Sequence, residues 1–168
     1  IVGGSHGIGY IKSGNYNHLC HYDPSHPENR IEDVLRGPDG NMWVSSCSGV
    51  KIQNIKSCES IPVQGLQGIC ARILFSYQSN VFVGTYGDGY YVWKNGKTFK
   101  LPNDNGNYLS HVHSFLVDEL GRLWMSTNKG LLNTKYSNIE KYIADSTYKC
   151  TYQVYGEDDG ILNSEFNG

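Results

Sequence analysis

At 168 residues the chain is long enough for one ordinary domain with a hydrophobic core, and its 14 basic against 16 acidic residues, a formal net charge of −2, offer no footprint for nucleic acid or an acidic membrane surface. High Tyr (13), Phe (5), Trp (3) and Gly (20) content, with sparse Ala and Glu, favours short strands and tight turns over helices. No stretch approaches the ~18–20 apolar residues that span a bilayer.

Taken in chain order, one segment recurs. Ile1-Val2-Gly3-Gly4-Ser5-His6-Gly7-Ile8 returns as Trp43-Val44-Ser45-Ser46-Cys47-Ser48-Gly49-Val50. It returns again as Phe82-Val83-Gly84-Thr85-Tyr86-Gly87, with Asp88 added before Gly89-Tyr90, and as Trp124-Met125-Ser126-Thr127-Asn128-Lys129-Gly130-Leu131. The anchors are 42, 39 and 42 residues apart. Each unit reads as an apolar strand (Ile31 to Val34, Ile69 to Phe75, Val112 to Val117), a polar turn, the aromatic-led strand, a Gly-containing turn and a third strand such as Tyr90 to Lys94. The Asp39-Gly40 and Asn95-Gly96 turns are hairpin signals, the latter leading to an outer strand from Thr98 to Leu101. A period near 40 with several short strands predicts an all-β fold of four-stranded antiparallel β-propeller blades, about four blade equivalents. Consecutive apolar pairs, Trp43-Val44 and Trp124-Met125, fit middle strands buried on both faces between stacked blades.

The units divide the chain as 1–28, a partial blade of three strands; 29–66 and 67–108, two blades; 109–158, a blade with an insert; and 159–168, the first strand of a next blade. The insert has apolar residues at 139, 142 and 143, which suits a short helix near 137–144 with Ser137 or Asn138 as N-cap and an outer strand from Cys150 to Tyr155 after it. With no initiator Met, the chain reads as a piece of something longer, and its complementary ends suggest closure within one chain or a homo-oligomer of two. Ile1-Val2-Gly3-Gly4 imitates a processed trypsin-like N-terminus, but no G-D-S-G-G segment follows. The five cysteines, Cys20, Cys47, Cys58, Cys70 and Cys150, form no C-x-x-C pair and are expected to be mostly small buried hydrophobes.

Asp39-Gly40-Asn41-Met42-Trp43-Val44-Ser45-Ser46 with Gly49-Val50, and Asp118 through Leu131 with Gly121, Trp124, Thr127 and Gly130, resemble the signature of two-component regulator propeller repeats. Phe82, Gly84 and Thr85 hold the same places in the middle copy, and Tyr155 through Gly168 is similar to the segment that opens a late blade in that family. The resemblance implies the periplasmic, extracytoplasmic sensor region of an inner-membrane signalling protein. The rest of such a receptor carries a histidine kinase or diguanylate cyclase, and the ligands include oligosaccharide breakdown products. Catalysis would belong to that remainder, and no cofactor or metal is implied.

Aligning on the aromatic anchors, the residues 13 and 14 places upstream suggest a ligand ring at the start of the inner strands. Arg30, Ile69 and His111 fall at one position, with Asn29, Gly68 and Ser110 before them, and Glu165 and Ser164 from the tail. Asn29, Arg30, Ser110, His111, His113 and Glu165 would suit a hydroxyl-rich ligand such as a sugar. They serve equally well as ordinary loop residues. His111 and His113 project from one face of a regular strand, but lack a third metal ligand. His6, His18, His21 and His26 read as a surface cluster, and Glu157-Asp158-Asp159 as a solvated turn. Three functions compete: a sensor of a small-molecule or oligosaccharide ligand, a propeller lyase or glycosidase, and a protein-interaction scaffold. An enzyme would need paired carboxylates, for which Glu165 and Glu32 are thin support.

Overall fold

The computed structural model describes residues 1–23, 25–26, 30–163 and 165–166. Its first sheet is three-stranded, β1 (Val2–Gly4), β2 (Gly7–Lys12) and β3 (Asn15–His21). Three four-stranded sheets follow. They are β4 (Ile31–Arg36), β5 (Met42–Ser46), β6 (Gly49–Gln53) and β7 (Ser60–Gln67); β8 (Ala71–Tyr77), β9 (Asn80–Thr85), β10 (Tyr90–Lys94) and β11 (Lys97–Lys100); and β12 (Val112–Val117), β13 (Arg122–Thr127), β14 (Gly130–Lys135) and β15 (Gln153–Tyr155). One helix, α1 (Tyr136–Ala144), lies between β14 and β15. Every sheet is an antiparallel meander in chain order, and β4 packs on β8 and β8 on β12. These are β-propeller blades, numbered one to four below.

A lone blade exposes two apolar faces, so the cores lie between blades. Ile8, Ile31, Met42 and Val44 fill the first interface, Trp43, Leu66, Leu74 and Val83 the second, and Phe82, Phe115, Leu123, Met125 and Leu132 the third. All residues of β5 and β9 are buried, because each strand has a blade on either side. In β13 the pattern alternates instead: Leu123, Met125 and Thr127 are buried while Trp124 is only half-buried. The expectation of two buried faces therefore fails at Trp124. Its face meets Tyr155 (ring centroids 5.4 Å) and no further blade among the described residues.

The repeat signature is turn chemistry. Asp39 Oδ1 accepts from Asn41 N–H (3.1 Å) and from the Trp43 indole (3.2 Å). Asp118 accepts from the Trp124 indole (2.8 Å), Arg122 Nε (2.6 Å) and the backbone N–H groups of Leu120 and Arg122. The aspartate closes the turn and supplies the partner that an inward indole N–H requires. Blade three confirms the coupling. There Phe82 has no N–H to satisfy, the aspartate is absent, and the turn shrinks to Gln78-Ser79, both at positive φ (46° and 63°). The hydroxyls of Ser46, Thr85 and Thr127 each accept from a backbone N–H two or three residues on and donate to the carbonyl of Gly49, Gly89 or Gly130. Gly49 and Gly130 sit at φ 125° and 137°, and a Cβ at either would collide with the backbone carbonyl of the neighbouring strand.

These hydrogen bonds, led by that of the Trp124 indole, hold the Asp118 carboxyl well below the usual carboxylate range. A depressed folded pKa contributes stability that is fully present above the unfolded value near 4 and is lost as pH falls toward the folded value. Asp118→Asn should therefore melt below the wild type at pH 7, with the gap closing as both are titrated below about pH 4. A gap unchanged in melting scans down to the lowest tolerated pH would refute that role.

Two expectations need correction. The helix begins at Tyr136 with Lys135 as N-cap and no side-chain cap, instead of at Ser137 or Asn138. Asn138 is spent inward: its amide donates to Thr134 Oγ1 (3.2 Å) and its Oδ1 accepts from Tyr148 OH (2.9 Å). Tyr136 and Ile139 join the core between blades three and four, so packing decides where the helix starts. The cysteines, moreover, are not mostly buried apolar spacers. Cys20 is bonded to Cys58 and Cys47 to Cys70, at separations of 38 and 23 residues, and Cys150 is free. One bridge joins blades one and two, the other blades two and three. Stacking brings together thiols that sequence spacing keeps apart.

Candidate functional site

Three inner strands carry the same irregularity. The register of β4 on β5 shifts between Ile31 and Asp33, that of β8 on β9 between Ala71 and Ile73, and that of β12 on β13 between Val112 and Ser114. The residue left over is Glu32, Arg72 and His113 in turn. A bulge removes its residue from the ladder and re-aims the side chain, and bulges concentrate beside functional sites. Here it sits at one position in each blade, at the end where the inner strands begin.

The bulged residues and their neighbours form a continuous polar line across three blades. Arg30 Nε lies 3.7 Å and Arg72 Nε 3.5 Å from the carboxylate of Glu32. The Arg72 guanidinium stands over the Tyr86 ring, 5.7 Å from its centroid, and Tyr86 meets the His111 ring edge-on at 4.4 Å. His111 Nδ1 pairs with Ser110 Oγ at 2.9 Å, and His113 Nε2 with Asn128 Oδ1 at 2.6 Å. Asp33, next to the first bulge, braces the interface from below by accepting Leu74 N–H of blade three (2.8 Å) and its neighbour Val34 N–H (2.7 Å).

Of the residues singled out from sequence, Arg30, Ser110, His111 and His113 lie on this line. Asn29 and Ser164 fall outside the described residues. Glu165 is exposed, with its N–H held by Asn163 Oδ1 (3.0 Å), and makes no contact with Arg30 or His111 among the described residues. The tail meets blade four through Phe166 N–H to Thr127 O (3.2 Å). The aligned position in blade three is Cys70, not Ile69, because the β8–β9 turn is shorter. Arg72, Tyr86 and Asn128 were missed, and Glu32 was placed with the wrong partner. The signal was present only once the shorter turn is allowed for: Glu32, Arg72 and His113 stand 14, 13 and 14 residues before Ser46, Thr85 and Thr127, and the one missing residue is lost in the β8–β9 turn.

A broad concavity of about 1220 Å³ lies elsewhere. It is at the turn end of β4 and β5, bordered by Ile1, Val34, Arg36, Met42, Ile55 and Ile61. It exceeds an ordinary ligand pocket and is lined by blade two together with Ile1, without the repeated bulges that gather polar side chains at the inner-strand mouth. Among the described residues no group of three or more His, Cys, Asp or Glu comes together to hold a metal ion, and no helix is long and apolar enough to cross a membrane.

The fold has counterparts. A curated protein named histidine kinase P4, from Formosa agariphila, is 28% identical over 151 residues, covering 83% of this chain and 10% of its own length. The extracellular domain of a hybrid two component system from B. thetaiotaomicron superposes with a TM-score of 0.61 at 18% identity, covering 89% of this chain and 20% of that one. Virginiamycin B lyase from Staphylococcus aureus gives 0.59 at 8% identity, over 89% and 48%. No protein-family model matches the chain. The sequence likeness is to a histidine kinase, and the likeness in fold takes in an extracellular sensor domain and a lyase alike. The chain spans about a tenth of the curated relative and a fifth of the solved sensor domain, and the solved structures establish the shared fold alone.

Proposed function

We propose that this chain is a ligand-sensing segment of an extracytoplasmic sensor region, part of a membrane signalling receptor of the two-component type, and that an oligosaccharide-like ligand is taken at the inner-strand mouth. The observation that carries the reading is the bulge repeated in three blades, which gathers Glu32, Arg72 and His113 with Arg30, Tyr86 and His111. The likeness to a histidine kinase and to an extracellular sensor domain supports it. So do the two disulfides, since such bonds persist in oxidising compartments. Signalling would follow from a ligand-biased population of receptor arrangements, with the kinase or cyclase in the remainder of the receptor.

A second reading, a propeller enzyme, draws on the likeness to a lyase. Hydrolysis of a glycoside would want two converging carboxylates, and along this line Glu32 is the only one among the described residues. A melting screen against neutral and acidic mono- and oligosaccharides separates the readings. A ligand at a hundred times its Kd adds about 2.7 kcal/mol, a rise of roughly 5–10 °C for a chain of this size. The rise should vanish in Arg72→Ala/His113→Ala, and the ligand should be recovered unaltered. Turnover of a ligand, or a shift that survives the double substitution, would sink the sensor reading of this site.

A further inference from the structure

The mouth is not electrically neutral. Two guanidiniums, Arg30 and Arg72, share the single carboxylate of Glu32. Their Nε–O separations of 3.7 and 3.5 Å exceed the roughly 2.7–2.9 Å of a charge-assisted hydrogen bond. Glu32 thus steadies both groups by charge while leaving their N–H donors uncommitted, and neither arginine has a hydrogen-bond partner among the described residues. Exposure is graded to match: the Glu32 side chain is 13% exposed, those of Arg72 and Arg30 40% and 72%. The negative charge lies beneath and the positive charges face outward.

We infer that this mouth recognises a carboxylate, so that the ligand sensed is a uronate-bearing saccharide and not a neutral one; this rests on the proposed saccharide reading of the same site. The planar fork of an arginine matches a carboxylate through two parallel N–H donors, a geometry that a lone hydroxyl cannot use fully. Arg72 is the better placed of the two, held between Glu32 and the half-exposed Tyr86 ring. The remaining polar groups, Ser110, His111, His113 and Asn128, follow along the line toward blade four, and suit the hydroxyls of the same ligand. Arg72 and Arg30 take the acid, and blade four takes the sugar face.

The test is calorimetric titration of the full chain with a panel of uronate disaccharides headed by digalacturonate, with the matched neutral disaccharides headed by galactobiose, and with citrate. Uronate disaccharides should bind roughly tenfold or more tightly than their neutral counterparts. Arg72→Met, which keeps the apolar stem, should erase at least about tenfold of that preference with an unchanged melting temperature. Glu32→Gln, removing the counter-charge, should tighten uronate binding severalfold. Neutral disaccharides binding as tightly as uronates would overturn the carboxylate inference and leave the saccharide reading standing. Citrate matching digalacturonate while galactobiose fails would keep carboxylate recognition and overturn the saccharide class. Binding by no member of the panel overturns both.

Discussion

Trp43→Ala should cost on the order of 3–5 kcal/mol and leave the chain on the edge of unfolding, whereas Trp124→Ala should cost distinctly less. The two tryptophans hold the same place in the repeat, so the contrast isolates what blade stacking does. Trp43 is fully buried in the interface between blades two and three, with Trp93 edge-on at 5.0 Å. Truncation there opens a cavity between two sheets that cannot close without moving a blade, and it leaves Asp39 without its indole donor. Trp124 is half-buried, so its loss removes less apolar contact and water can enter. Urea unfolding followed by circular dichroism measures both. Equal losses for the two variants would mean that the interfaces are not where the stability lies. Trp43→Phe should recover most of the packing but not the hydrogen bond, as blade three does with Phe82.

Removing the disulfides should have the next largest effect. Loop-closure entropy for separations of 38 and 23 residues gives about 3–4 kcal/mol for each bridge. The two loops overlap in sequence, so the combined loss should fall short of the sum. Each bridge also crosses an interface that noncovalent packing must otherwise hold alone. Cys20→Ser/Cys58→Ser and Cys47→Ser/Cys70→Ser should therefore each lower the melting temperature by roughly 10 °C, and dithiothreitol should reproduce the combined effect in the parent chain. Cys150→Ser, at the free thiol, should behave as the parent. Thiol titration of the unreduced, denatured chain should find one reactive group; five would refute both bridges.

The architecture was legible because repetition multiplies weak signals. A single aromatic-small-Gly segment is ambiguous, but four copies at nearly equal spacing fix strand order, turn positions and the in-phase inner strands. Tyr90–Lys94 and Val112–Val117 fall where the pattern puts them. What escaped depends on contacts between blades. The half-burial of Trp124 reflects which neighbour its face meets. The cysteine pairs depend on stacking, which spacing along the chain does not encode. The start of α1 depends on Tyr136 and Ile139 finding the third core, against which a capping preference of about 1 kcal/mol is small. The candidate site was half legible. Arg30, His111 and His113 follow from the alignment, while Arg72 was hidden by a turn one residue shorter and by a bulge that changes the count within a strand.

That bulge has a bearing on how such a protein diversifies. Glu32, Arg72 and His113 are excused from the ladder and stand outside the three apolar cores, so neither strand pairing nor core packing dictates their chemistry. Each blade contributes one freely chosen letter to the rim. Selection can rewrite what the rim prefers, one blade at a time, while the fold that presents it is inherited intact. A combinatorial library randomised at these three positions should yield mostly folded members with divergent ligand tastes.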